Sequence, residues 1–168
     1  PNTIVVILRN LSINGASTGF DGIRFTSGKQ LFVENCNIFG FRGNGTNSDG
    51  IEINLNGVGL TFAAHVKDTK IENNTGDAIR QGINNGTLNC SYDGLRLAGS
   101  NRGLEATGGT ANISHSIVDN NTTSGLAASG GAVINANDNV VTSNATGISS
   151  ATGSTVRISL NAVHRNTT

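Results

Sequence analysis

The chain has no methionine, no tryptophan, one proline, one tyrosine and two cysteines in 168 residues. Aromatic residues supply 4% of it and charged residues 13%. A single proline and the lack of a strict three-residue glycine period exclude collagen-like and proline-rich disordered chains. Eleven Lys and Arg balance eleven Asp and Glu. That balance leaves no excess of the positive charge a nucleic-acid binder needs, so no nucleic-acid partner is expected. No apolar run approaches the roughly 18 residues of a membrane-spanning helix, and no signal-peptide pattern is present. The sequence opens at Pro1 without a methionine and stops within a pattern at His164, Arg165, Asn166, Thr167 and Thr168. It reads as a processed or excised piece of a longer protein.

What is present is glycine, 23 residues of it, with many Asn, Ser and Thr. Hydrophobic residues, at 36%, are few for one compact core but suffice for a stack of thin slices. Glycine followed by an aliphatic residue recurs at Gly22-Ile23, Gly50-Ile51, Gly103-Leu104, Gly125-Leu126 and Gly147-Ile148. Ala78-Ile79 fills the gap, and the steps are 28, 28, 25, 22 and 22 residues. A second aliphatic position precedes each pair: Ile13, Ile38, Ile71, Leu95, Ile117 and Val140. A polar residue stands three positions before most of these, at Asn10, Asn35, Asp68, Ser114 and Asn137, and Asn often follows, as at Asn74, Asn120, Asn121 and Asn144. Between these landmarks lie short runs alternating in polarity, such as those at 31–33, 51–53, 111–113 and 156–158. Period-two alternation predicts strands, and Gly and Asn supply the positive φ of tight corners. No window keeps a helical stripe.

One such unit cannot bury its own apolar face, but units stacked in register can. The spacing therefore predicts an all-β chain: a right-handed parallel β-helix of about seven coils, three short strands per coil, in one domain. Stacking also predicts rows along the axis. Ile23, Ile51, Ile79, Leu104, Leu126 and Ile148 should point inward, as should Phe25, Ile53, Gln81, Ala106, Ala128 and Ser150. Arg24, Glu52, Arg80 and Glu105, then Ala127 and Ser149, should form an outward row whose charges alternate and so attract weakly, with Glu52 paired to Arg80. Cys36 and Cys90 fall about two coils apart, roughly 10 Å at the strand spacing. That is too far for a disulfide, so both are expected as buried thiols.

The segments 6–15, 21–25 and 31–36, with the Gly-aliphatic grammar behind them, resemble the pectate-lyase-like superfamily of right-handed β-helices across essentially the whole chain. They look closest to uncharacterised bacterial β-helix repeat proteins, many of them exported. The superfamily holds lyases, hydrolases, esterases, tailspikes and inert shafts, so the resemblance implies a fold before a function. Asn47-Ser48-Asp49-Gly50 with Gly76-Asp77-Ala78 resembles the paired acidic motifs of polygalacturonases, which implies Asp49 and Asp77 as acid and base on adjacent coils. The pattern departs where Ala78 replaces a second Asp and where no Gly-His-Gly follows; corner residues accepting backbone hydrogen bonds are the competing reading. A lyase would bind Ca²⁺ through Asp49, Glu52 and Asp77 with Arg80 as base; otherwise neither cofactor nor metal is expected. A methylesterase-like set of Asp77, Arg80 and Gln81 lacks its second Asp. His65, His115 and His164 are too dispersed for zinc. Asn-x-Ser/Thr at Asn10, Asn44, Asn85, Asn112 and Asn144 is what chance gives in such a composition.

Charge is uneven: 18 of 22 charged residues lie in 1–105, together with insertions at 41–48 and 54–60. Insertions in repeat folds map to the binding face. The ligand-binding expectation is therefore Arg24, Arg42, Asp49, Glu52, Asp77 and Arg80, facing a hydroxyl-rich polymer such as a polysaccharide. The leading expectation is a non-catalytic shaft or carbohydrate-contacting module of an exported or surface protein. The alternative is a lyase or hydrolase of uronic-acid polymers with an atypical site. The strand around Ile4 to Leu8 lies at an end, and exposed strand edges recruit partners, so homo-oligomers through coil ends or a lateral face are a further expectation.

Overall fold

A computed structural model describes residues 3–43 and 45–168; Asn44, which begins one of the Asn-x-Ser/Thr triplets, falls outside the described residues. The first coil is β1 (Val5–Arg9), β2 (Ser12–Asn14) and β3 (Ile23–Phe25), and the second is β4 (Gln30–Glu34), β5 (Asn37–Phe39) and β6 (Ile51–Leu55). The third is β7 (Thr61–Lys67), β8 (Lys70–Glu72) and β9 (Ile79–Ile83); the fourth is β10 (Thr87–Asp93), β11 (Arg96–Ala98) and β12 (Arg102–Ala106). There follow β13 (Thr110–Ser114), β14 (Ile117–Asp119) and β15 (Ser124–Ala128), then β16 (Val133–Asn137), β17 (Val140–Thr142) and β18 (Thr146–Ser150), and finally β19 (Thr155–Ser159) and β20 (Ala162–His164). Each strand pairs in parallel with its counterpart one coil on, giving two seven-stranded sheets and one six-stranded sheet. The result is a right-handed parallel solenoid of about six full turns. Its one helical element among the described residues is a single 3₁₀ turn at Gly45–Asn47.

The rows follow the expected register in the third sheet. Ile23, Ile51, Ile79, Leu104, Leu126 and Ile148 are successive pairing partners, and so are Arg24, Glu52, Arg80, Glu105, Ala127 and Ser149. Across the core, the first sheet contributes Leu8, Val33, Val66, Tyr92, Ile113, Ala136 and Ile158 in one row. Burying each large aliphatic in such a row contributes about 2 kcal/mol. Gln81, polar in an inward row, is fully buried because the Tyr92 hydroxyl donates to its Oε1 at 2.8 Å and its Nε2 donates to the Gly108 carbonyl at 3.0 Å.

The second sheet corrects the sequence reading by one or two residues. Its inward row is Ile13, Ile38, Ile71, Leu97, Val118, Val141 and Val163, so Leu95, Ile117 and Val140 do not belong to it. Ile117 and Val140 are exposed, at 44% and 36%. The cause is the corner before the strand. A positive φ turns the chain at Asn10, Asn35, Asp68, Gly94, His115 and Asp138, one residue later in the last two than at Ser114 and Asn137. The glycines of the Gly-aliphatic pairs serve another purpose. A Cβ on Gly50 would meet Ile71 Cγ2 and, at 2.7 Å, the Ala78 carbonyl oxygen; crowding, not φ, keeps that position small.

Two polar rows run inside the solenoid. Asn74, Ser100, Asn121, Asn144 and Asn166 form one, each side chain accepting the backbone N–H of its counterpart one coil earlier, as Asn144 Oδ1 does from Asn121 at 3.0 Å. Thr69, Ser116, Asn139 and Asn161 form the other, with Ser116 N–H donating to Asn139 Oδ1 at 3.0 Å. The corners leave backbone groups facing an apolar interior, and these side chains satisfy them. Cys36 and Cys90 are free and buried, and burial pushes the Cys90 thiol up to about 12.

Candidate functional site

The corner that leads into the third sheet places three carboxylates in one row. Asp21, Asp49 and Asp77 each precede the Gly or Ala of the repeat, and each side chain caps the following coil. Asp21 Oδ1 accepts the Asp49 N–H at 3.0 Å, Asp49 Oδ1 accepts the Asp77 N–H at 2.7 Å, and Asp77 Oδ1 accepts the Arg102 N–H at 3.1 Å. Arg102 holds the fourth position of the row and closes it, its guanidinium 3.4 Å from Asp77 Oδ2 and 3.2 Å from Glu105. Asp49 and Asp77 are both 2% exposed.

Beside this row stand the alternating charges of the third sheet. Arg24 meets Glu52 at 2.6 Å and Arg80 meets Glu105 at 3.4 Å. The pairing expected between Glu52 and Arg80 is thus replaced by pairing with each residue's other neighbour. The row was expected to face solvent throughout, yet Glu52 is 8% exposed. It is overhung by Phe20 and Asn47, which line a cavity of about 280 Å³ with Asp21, Arg24, Asp49, Glu52 and Arg80. A second cavity of about 340 Å³ continues past Arg80 to Asp77, Arg102 and Glu105, and a third of about 190 Å³ lies against Glu52 and Arg80 on the side of Asn54 and Thr107. Arg80 belongs to all three. Together they make an open groove along the solenoid axis, walled on one side by Thr46 and Asn47.

Of the residues singled out from sequence, Arg24, Asp49, Glu52, Asp77 and Arg80 converge on this groove. Arg42 does not; it donates to the Asn73 carbonyl at 3.3 Å and lines a separate cavity with Thr46, Thr75 and Thr122. Gln81 is committed to the core and unavailable to a methylesterase-like set. Phe20, Asp21 and Arg102 also line this groove and were not among the site residues expected from sequence. The last two sit immediately before Gly22 and Gly103, the repeat position of Asp49 and Asp77, so aligning the units would have revealed the row.

Electrostatics in the groove are set by burial. Desolvation raises Asp49 to about 6, opposed by its hydrogen bond from Asp77 and reinforced by Asp21. Desolvation likewise raises Asp77 to about 7, with Glu105 adding to the rise and Arg102 opposing it. At neutral pH Asp77 therefore sits near the middle of its titration while Asp49 is largely ionised, both closer to the working range of an acid or base than an ordinary carboxylate. Both also spend an oxygen on a backbone N–H. Among the described residues no cluster of three or more His, Cys, Asp or Glu is arranged to hold a metal ion, and no helix is long and apolar enough to cross a membrane. No protein-family model, curated protein or solved structure matches the chain.

Proposed function

We propose that this chain is a non-catalytic β-helical module of an exported bacterial protein, related to the pectate-lyase-like solenoids, and that its groove contacts a hydroxyl-rich polymer such as a polysaccharide. The observation that carries the reading is the alternating Arg24, Glu52, Arg80, Glu105 row lying along three adjoining cavities that share Arg80. Such a row repeats donors and acceptors at about 4.8 Å, along the direction a linear polymer would take. Asp49 and Asp77 serve this groove as its braced corner, since each is tied to the next coil by a backbone hydrogen bond. Affinity electrophoresis through gels containing soluble polysaccharides tests the reading. Retardation that Arg80→Ala reduces is expected, and unretarded migration in every gel would overturn it.

A second reading is favoured by one observation, the raised Asp49 and Asp77 beside an open groove. In it the chain is a hydrolase or lyase of uronic-acid polymers with an atypical acid and base, and Ca²⁺ enters only in the lyase case. Reducing-sugar release and ultraviolet absorbance of unsaturated uronates on polygalacturonate, with and without Ca²⁺, separate the two. Turnover abolished by Asp49→Asn or Asp77→Asn would establish the enzyme.

A further inference from the structure

Phe20 is the most exposed aromatic side chain near the groove, at 63%. It ends the turn between β2 and β3, outside every core row, and lines the cavity that holds Arg24, Glu52 and Arg80. Its place is fixed from behind. The Gly43 N–H donates to the Gly19 carbonyl at 2.9 Å, holding Gly43 against the turn that carries Phe20. A Cβ on Gly43 would lie 2.9 Å from Phe20 Cδ1 and against the Thr18 carbonyl, so the insertion can approach only as glycine. The chain thus spends an insertion on presenting an apolar ring to water beside a charged floor.

We infer that this groove takes a neutral sugar chain, one ring stacked on Phe20 and its hydroxyls bridging Arg24 and Glu52, in preference to a polyuronate. The inference rests on the carbohydrate reading proposed above and names its ligand class. A sugar ring offers a C–H face to an aromatic surface and hydroxyls that both donate and accept. The Arg24–Glu52 and Arg80–Glu105 pairs offer a donor and an acceptor side by side, which suits hydroxyls. A carboxylate ligand uses only donors, and these guanidiniums already face carboxylates. The groove also carries five carboxylates, Asp21, Asp49, Glu52, Asp77 and Glu105, against three guanidiniums, Arg24, Arg80 and Arg102. Even with Asp49 and Asp77 partly protonated, there is no surplus of positive charge to hold a polyanion.

Affinity electrophoresis and calorimetry with arabinoxylan, galactomannan and mixed-linkage glucan as neutral probes, and polygalacturonate as the polyanion, test the inference. At least one neutral polymer should bind more tightly than polygalacturonate, with affinity nearly unchanged by added salt. Phe20→Ala should weaken that binding about tenfold with its melting curve unchanged, because the ring is not part of the core. Polygalacturonate binding more tightly than every neutral probe, or Phe20→Ala binding as wild type, would overturn the neutral-sugar inference and leave carbohydrate contact standing. No binding to any of the four polymers would remove the carbohydrate reading itself.

Discussion

At the scale of single residues, stability rests on side chains that answer backbone groups. Asn121 accepts the Ser100 N–H at 3.1 Å, donates to the Leu97 carbonyl at 3.2 Å and is 2% exposed. Asn121→Ala strands both groups in an apolar interior and should cost about 2–4 kcal/mol, read as a lower urea midpoint. Asn112→Ala on the exposed face should cost under about 0.5 kcal/mol. Gly50→Ala should cost about 2–3 kcal/mol, because its Cβ has the Ile71 side chain and the Ala78 carbonyl to displace. The glycine was plain in the sequence but its reason was not: a repeated Gly looks alike whether it serves a turn or a close contact. The pairs Ile117-Val118 and Val140-Val141 show the same limit. Two adjacent aliphatics fit an alternating pattern in either phase, and the corner at His115 and Asp138, which nothing local announces, decides which one turns inward.

At the scale of elements, the corner row of Asp21, Asp49 and Asp77 ties pH to the packing of β3, β6, β9 and β12. Asp49 and Asp77 titrate at about 6 and about 7 in the fold against about 3.9 when unfolded. The folded chain therefore binds protons more tightly than the unfolded one. The resulting stability is fully present below about pH 4 and is lost as pH rises through 6 and 7. Melting temperature should fall from pH 5 to pH 8, by the equivalent of a few kcal/mol. Asp93, held low by hydrogen bonds from His115 and Ser114, works in the opposite sense and loses its contribution in acid. Asp49→Asn keeps the acceptor for the Asp77 N–H without the charge, so it should stabilise the protein at pH 8 and flatten the pH profile. Asp49→Ala removes the acceptor and should destabilise. Sequence singled out Asp49 and Asp77 because Asn47-Ser48-Asp49-Gly50 and Gly76-Asp77-Ala78 resemble the paired acidic motifs of polygalacturonases. It missed Arg102, whose role as the terminus of the row emerges only when coils of 28 and 25 residues are laid over one another.

At the scale of the whole molecule, each coil touches only its neighbours, so stability should accumulate by coil. Removal of residues 152–168, which carry β19 and β20, should leave a β-rich circular dichroism spectrum and a lowered unfolding midpoint. Both ends expose apolar side chains: Ile4, Val5 and Ile7 at one, and Ile158 and Leu160 at the other.

The two halves of the solenoid differ in how freely they can be edited. From β15 onward the stride is constant: Val133 pairs with Thr155 and Leu126 with Ile148, 22 residues apart in each case, and the inner amides fall in phase with it. Copying residues 133–154 in tandem supplies every row with a fitting member, so the rod should lengthen by about 4.8 Å per copy, visible as a longer maximum dimension in small-angle scattering. In the front half the same operation would duplicate a loop, a cavity wall and an ionic pair, and change the groove. The back half thus serves as a ruler and the front half as a workbench, and a change of length made within residues 133–154 leaves the groove residues where they are.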